Sequence, residues 1–264
     1  MLKTEREIQN HISDNDDILT DRKGKDLCCK LTPRLQLIAD KVLPGARVAD
    51  IGTDHAYIPI YLITKGISNY VIASDVKKGP VEKAKDNVKK YNLMHRIDVR
   101  LGNGLEKVSL GEVDTVIIAG MGGVLIAEIL SAAKSALKTI DRLILQPMVG
   151  QEEVRKWLIN NHFKIVDEEL VMEGSKIYNV IVAEHGEDKI EKEIFNYIGK
   201  KLVEKKDPLL KNLLIDRITE LNKIIIQLEN KDSRNAYLRL KECRARLMEY
   251  KCLQQSIMEG ECNK

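Results

Sequence analysis

RVADIGTDHAYIP, residues 47 to 59, opens like a nucleotide-binding α/β fold and then departs from it. An apolar strand runs into Asp50-Ile51-Gly52, and an apolar helix is due from Tyr57. In dinucleotide folds the intervening turn lays backbone N–H groups against a pyrophosphate and stays uncharged. Here the turn reads Gly52-Thr53-Asp54-His55-Ala56, with a carboxylate where a second glycine belongs. Asp54 would repel a phosphate, so the turn argues against NAD, FAD and ATP. It suits a ligand that presents a cation at this spot. S-adenosylmethionine fits, with a sulfonium, an ammonium and no phosphate. Gly52 still allows close backbone approach, while Asp50 either orders the loop or meets the ligand's amino-acid end.

Outward from this turn, strands and helices alternate. A helix is expected across LTPRLQLIADKVLPG, with Thr32 as cap, Pro33 in the first turn and Pro44-Gly45 as the stop. After the helix Tyr57 to Lys65 come the strand YVIASD and a helix from Pro80 to Tyr91. IDVRLGNG is the third strand with its loop, and VDTVIIAG the fourth, with a helix from Gly123 to Leu137. RLILQP is the fifth, with a helix from Gln151 to Asn161. FKIVDEELVME and KIYNVIVAEH close the set as an antiparallel hairpin around Gly174-Ser175. This alternation predicts a Rossmann-like parallel sheet with helices on both faces and ligands at the strand carboxyl ends.

Three further strand ends support the cofactor. Asp75 closes the second strand, where an acid holds ribose hydroxyls. Asn103, between Gly102 and Gly104, can reach an adenine amino edge. In AGMGG, Ala119 and Gly120 let a flat ligand approach, and Met121 can lie against a ring. Each feature alone has an ordinary structural reading as cap, turn or core filler. Their joint occurrence at strand ends is what carries weight.

From about Gly186 the strands vanish. Leu210, Leu214, Ile218, Leu221, Ile225 and Leu228 repeat at spacings of three or four. Leu240, Cys243, Leu247, Tyr250 and Ile257 form a second, weaker seam after a turn capped by Asp232 or Ser233. This pattern predicts a helical hairpin with coiled-coil packing. The expected organisation is a mobile extension over 1–26, a Rossmann-like, S-adenosylmethionine-binding domain over 27–186 and a helical appendage over 187–264. The sheet and pocket are complete before Glu187, so a chain ending there is expected to fold.

The 264 residues carry a formal charge of +3 with 31% charged residues, so the total says little until the charges are placed. No stretch is long and apolar enough for a membrane span, and the first residues lack an apolar signal core. A cytoplasmic protein is expected. The five cysteines, Cys28, Cys29, Cys243, Cys252 and Cys262, show no zinc spacing and read as reduced thiols, with no metal expected.

LTPRLQLIADKV, VADIGTDHAYIPIYL, LGNGL, IIAGMGG, LILQPM and VRKWL together resemble the bacterial TrmK family, tRNA methyltransferases acting on N1 of adenine 22 in the D-arm region. The resemblance runs from about Leu31 to Glu184. DIGTDHAY with IAGMGG is specific to that family, and the tail is similar to its C-terminal coiled-coil domain. The resemblance implies a class I methyltransferase fold using S-adenosylmethionine, with tRNA as substrate. Adenine N1 carries a free lone pair, so no strong base is obligatory. Asp54 would stabilise the cationic product, while His55 and Tyr57 would shape the base side of the pocket. The loop lacks the Asn/Asp-Pro-Pro-Tyr/Phe motif of amino-methylating enzymes. Gln146-Pro147 reads equally as a substrate contact or a turn.

Phosphates require cations. Lys223, Arg239 and Arg246 are the foremost candidates in the tail, and Arg34 and Arg155 are expected at the pocket rim. A methyltransferase on another RNA or a small molecule, and an inactive RNA-binding relative, remain the alternatives. Intact Asp50, Asp54, Asp75 and Asn103 speak against the last.

Overall fold

The structure is a computed structural model that describes residues 30–262, with the side chains described to residue 258. The expected extension over 1–26 and the Cys28-Cys29 pair lie outside the described residues.

Ten helices and seven strands are present among the described residues. α1 (Pro33–Asp40) precedes β1 (Arg47–Ile51), α2 (Tyr57–Thr64), β2 (Tyr70–Asp75), α3 (Lys78–Lys90) and β3 (Ile97–Leu101). Then follow β4 (Thr115–Met121), α4 (Gly123–Ala132), α5 (Lys134–Leu137), β5 (Arg142–Pro147) and α6 (Gln151–Asn160). β6 (Phe163–Glu173) and β7 (Lys176–His185) complete a sheet of order β3-β2-β1-β4-β5-β7-β6. The first five strands are parallel, with Val48 opposite Val71 on one side and Thr115 on the other. β7 runs antiparallel to both β5 and β6.

Both faces of the sheet are covered, so its central strands are mostly apolar, with Asp50 of β1 and Ser74 of β2 as buried polar exceptions near the strand ends. On one face Ile38, Ile60, Leu62 and Val88 pack over Val48, Val71 and Ile117. On the other, Ile126, Leu130, Val154 and Leu158 pack over Ala49, Ile72 and Leu143. The strand pleat sends alternate residues to these two layers. Each fully buried aliphatic side chain contributes about 1.5–3 kcal/mol relative to exposure.

Local readings fail in three places. Thr32 sits at the N-cap of α1, but its side chain makes no cap bond. Its hydroxyl instead bonds to the Glu173 carboxylate. α3 starts at Lys78 rather than Pro80, because a proline in the first turn needs no N–H donor. The single helix expected from Gly123 to Leu137 is broken at Ala133, at φ −106° and ψ 23°.

Beyond β7 the chain forms α7 (Ile194–Ile198) and α8 (Lys200–Glu204), then α9 (Leu210–Glu229) and α10 (Arg234–Cys262). Ile198, Leu202, Leu210 and Leu214 share a third core with Leu170 of β6. The tail is thus packed onto the sheet edge at its base. Farther out, Leu221, Ile225, Cys243 and Tyr250 are the buried seam between α9 and α10. Ser233 Oγ accepts the Ala236 N–H at 3.2 Å, so Ser233 is the cap of α10.

Candidate active site

The five parallel strands end on one edge of the sheet, and their loops build the site. After β1 the chain turns at Gly52, where φ is +82°. The positive φ calls for glycine here, and a Cβ would in addition displace the flexible tip of Met121. The N–H groups of Gly52 and Thr53 both donate to Ser74 O, at 2.8 and 3.0 Å. Thr53 Oγ1 accepts the Ala56 N–H at 3.1 Å. That bond holds Ala56, which is buried, in the left-handed region at φ 55°. The kinked turn presents Asp54 and His55 outward.

The Asp54 side chain is 62% exposed, with Oδ2 3.2 Å from His55 Nε2 and Oδ1 3.9 Å from Lys83 Nζ. The His55 ring stacks on Tyr57, with centroids 5.1 Å apart and planes at 16°. Asn87 Nδ2 of α3 donates to His55 O at 3.0 Å and pins the turn. Beneath them Asp50 is buried. Burial pushes its carboxyl up to about 6, opposed by a hydrogen bond from Thr53 and reinforced by nearby Asp75.

Arg34 reaches the same cavity, a cleft of about 320 Å³ lined also by Asp50, Gly52, Thr53, Asp54, His55, Tyr57, Ala119 and Gly120. Arg34 Nη1 donates to Gln146 Oε1 at 2.8 Å, and its Nε lies 3.9 Å from Glu173 Oε1. Gln146 is fully buried. Its Oε1 also accepts the Gly120 N–H at 3.2 Å, and its Nε2 donates to Pro147 O at 3.1 Å. Gln146 is therefore a brace beneath the cavity rather than a surface turn. The loops after β4 and β5 are stitched together as well. Met148 N–H donates to Met121 O, and Gly123 N–H to Val149 O, both at 2.8 Å. A Cβ at Gly123 would overlap the Gly150 carbonyl oxygen.

Four expected ligand residues lie outside this cleft. Asp75 Oδ1 accepts the Lys77 N–H at 2.7 Å and closes a turn at the end of β2. Asn103 and Gly104 line a neighbouring, largely apolar hollow of about 500 Å³ with Leu105, Leu125 and Ile129. Met121 packs into the core beside Gly52. No group of three or more His, Cys, Asp or Glu is arranged to hold a metal among the described residues.

The model of the TrmK family, described as tRNA (adenine(22)-N(1))-methyltransferase, matches residues 48–250. This chain belongs to that family. The tRNA (adenine(22)-N(1))-methyltransferase of Bacillus subtilis (strain 168) is 44% identical over 158 residues, 60% of this chain and 66% of that protein. The aligned part thus spans just under two thirds of that relative. The crystal structure of the B. subtilis m1A22 tRNA methyltransferase matches with a TM-score of 0.80 and 36% identity, covering 86% of this chain and 100% of the other. A Streptococcus pneumoniae protein solved in complex with S-adenosyl-L-methionine matches with a TM-score of 0.77 and 33% identity, covering 85% and 100%.

The arginines and lysines expected to meet RNA in this TrmK-family chain separate into distinct environments. Arg155 is corrected outright: it is buried, not at a pocket rim. Its Nε donates to Glu168 Oε1 at 2.8 Å, its Nη2 to Asn179 Oδ1 at 2.6 Å and its Nη1 to Asn196 O at 2.6 Å. Glu168 and Leu170 share one face of β6, while Asp167 and Glu169 point the other way to Lys41. Arg246 is also engaged internally, with its guanidinium 3.6 Å above the Tyr197 ring and 3.9 Å from Glu193. It fastens α10 to α7. Lys223 and Arg239 are exposed, and Arg239 pairs with Glu242 at 3.0 Å. Sequence reasoning missed Thr53 as the loop's brace and Lys83 and Asn87 as its outer supports. Only Thr53 carried a local signal, a hydroxyl three residues before the first helical turn.

Proposed function

We propose that this chain transfers a methyl group from S-adenosylmethionine to N1 of adenine 22 in tRNA. The observation that carries the reading is the charge pattern of the cleft, joined to membership of the family. Asp54 stands where a phosphate would lie, Asp50 lies beneath it, and Arg34 is the one arginine or lysine among the cleft's lining residues. That pattern repels a pyrophosphate and matches a ligand with two cationic centres and one carboxylate. When bound, S-adenosylmethionine supplies an electrophilic methyl group on a sulfonium.

Each lining residue has a part in this arrangement. Asp54 and Asp50 supply the negative charge facing the sulfonium and ammonium. Arg34, braced by Gln146, faces the carboxylate instead of an RNA phosphate. Asp75 accepts from the ribose hydroxyls, and Asn103, on the adjoining hollow, meets the adenine edge. Gly52, Ala119 and Gly120 keep the floor low. The target adenine is nucleophilic at N1 without a base, so the residues act by positioning and charge. The stacked His55-Tyr57 pair offers a flat surface for the base, and Asp54 stabilises the positive charge that the ring acquires. The residues to about 186 carry the chemistry, and the hairpin beyond carries part of the grip on tRNA through exposed cations such as Lys223.

Methylation of an unmodified tRNA with labelled S-adenosylmethionine, followed by nucleoside mapping, tests this. A single 1-methyladenosine at position 22 is expected. Label at another position, or only in small molecules, would overturn the assignment.

A further inference from the structure

The segments that follow β4 and β5 carry no charge: Ala119 to Ala127 and Gln146 to Gln151 contain no acid, lysine or arginine. Other connections at this edge of the sheet are charged, with Asp54 after β1, Asp75 and Lys77 after β2, Glu106 after β3 and Glu173 with Lys176 after β6. In place of charge the two uncharged loops expose apolar side chains. Val149 is 68% exposed and Val124 57%, and Met148 is exposed as well.

These side chains adjoin the cleft. Met148 Sδ lies 3.7 Å from Gln146 Nε2, and Gln146 in turn holds Arg34 and the Gly120 N–H, both on the cleft wall. Val149 Cγ2 leans over Gly122, 4.0 Å from where a Cβ would stand. Val124, next to the Gly123 whose N–H bonds Val149 O, broadens the surface. Because β4 lies between β1 and β5, this apolar lip borders the cleft on the side away from the 54–57 loop. Clustered apolar surface left in water is costly and marks a binding site. The lip has no cation for a phosphate, whereas every nucleobase offers a flat face that packs on such side chains.

We propose that Met148 and Val149 are a wedge that fills the space vacated by the target adenine and packs against the next base of its stack, so that the adenine stays turned into the cleft. The inference rests on the tRNA reading above. Proteins that unstack nucleic acid insert apolar side chains between bases in this way. The two residues touch neither the methyl group nor N1, and act by positioning the adenine.

The test is Met148→Ser with Val149→Ser in the full chain, beside the conservative pair Met148→Leu with Val149→Ile. Both side chains are exposed and the bonds that fix the loops are main-chain, so the fold should hold, which thermal unfolding checks. Calorimetry follows S-adenosylmethionine binding, which should match the parent. Single-turnover methylation is measured with saturating enzyme on two RNAs: the unmodified tRNA, and the same tRNA with the base facing adenine 22 removed. Removing that base loosens the adenine in advance. On the intact tRNA the serine variant should be slowed about tenfold or more, since drawing a base out of its stack is the uphill step. On the loosened tRNA it should come within about threefold of the parent. The leucine–isoleucine variant should match the parent on both. Equal slowing on both RNAs, or weakened cofactor binding, would overturn the inference, because either points to damage of the cleft itself. So would parent-like rates of the serine variant on the intact tRNA, which would leave the lip to a protein partner. A parent chain that methylates neither RNA would instead sink the underlying reading.

Discussion

Replacing Arg155 by methionine isolates the energetic cost of the buried ion pair that links the catalytic sheet to the tail. Arg155 and Glu168 have side chains only 2% and 1% exposed. Removing the guanidinium strands three acceptors: the Glu168 carboxylate, Asn179 Oδ1 and the Asn196 carbonyl. Breaking one side of such a pair costs about 3–5 kcal/mol, chiefly for the charge left unpaired. At about 2–4 °C per kcal/mol for a chain of this size, Tm should fall by roughly 10 °C. Urea unfolding followed by circular dichroism at pH 7.5 gives the free energy. The double variant Arg155→Met/Glu168→Met removes both charges and should recover most of the loss. A pH series adds a second check. Burial already pushes the Glu168 carboxyl up, with Arg155 opposing it. Without Arg155 it rises further, and protonation relieves the penalty, so the gap to wild type should narrow as pH falls towards 5. A single variant within about 1 kcal/mol of wild type, or a double variant no better than the single, would refute the reasoning.

Further outcomes are expected at Asp50, at Asp54 and in the tail. Asp50 titrates at about 6 in the folded chain, above its ordinary 3.8, so it favours folding when protonated and loses that contribution as pH rises from about 4 through 6. Asp50→Asn should therefore stabilise the chain at pH 8, by up to about 3 kcal/mol in thermal unfolding. Wild-type affinity for S-adenosylmethionine, measured by calorimetry, should strengthen as pH rises through 6, and that of Asp50→Asn should stay flat. Asp54→Asn should keep the fold and lower the single-turnover methylation rate about tenfold, a modest loss because the side chain is largely solvated. A chain ending at Glu187 should be aggregation-prone, since the cut uncovers Leu170 and removes the Asn196 carbonyl from Arg155; shortening the hairpin between Ile218 and Leu247 should leave a soluble protein that binds the cofactor and holds tRNA more weakly.

The fold was legible wherever local pattern and tertiary demand agree. β2, β5, β6 and β7 have the ends read from the sequence, because β-branched runs stop at turn residues there. The Asp50 to Tyr57 group assembles as expected, since one short loop carries all of it. What stayed hidden depends on distant partners. Arg155 reads like any helical surface arginine until β6 places Glu168 opposite it. In Asp167-Glu168-Glu169 only the strand pleat decides which acid turns inward. Arg34 was assigned to RNA because Gln146, which holds it in the cleft, lies 112 residues away.

The stitched loops after β4 and β5 have a consequence for engineering. With Met148 bonded to Met121, Val149 to Gly123, and Gly150 pressed against Gly123, the two segments form one mechanical unit. These bonds are main-chain to main-chain and survive most side-chain exchanges, but a change of length in either loop alone, or any residue other than glycine at 123, would break the seam. Transplanting both as a matched pair from a relative would preserve it. The site is therefore evolvable by paired exchange, and the unit of inheritance for its floor is two loops rather than one.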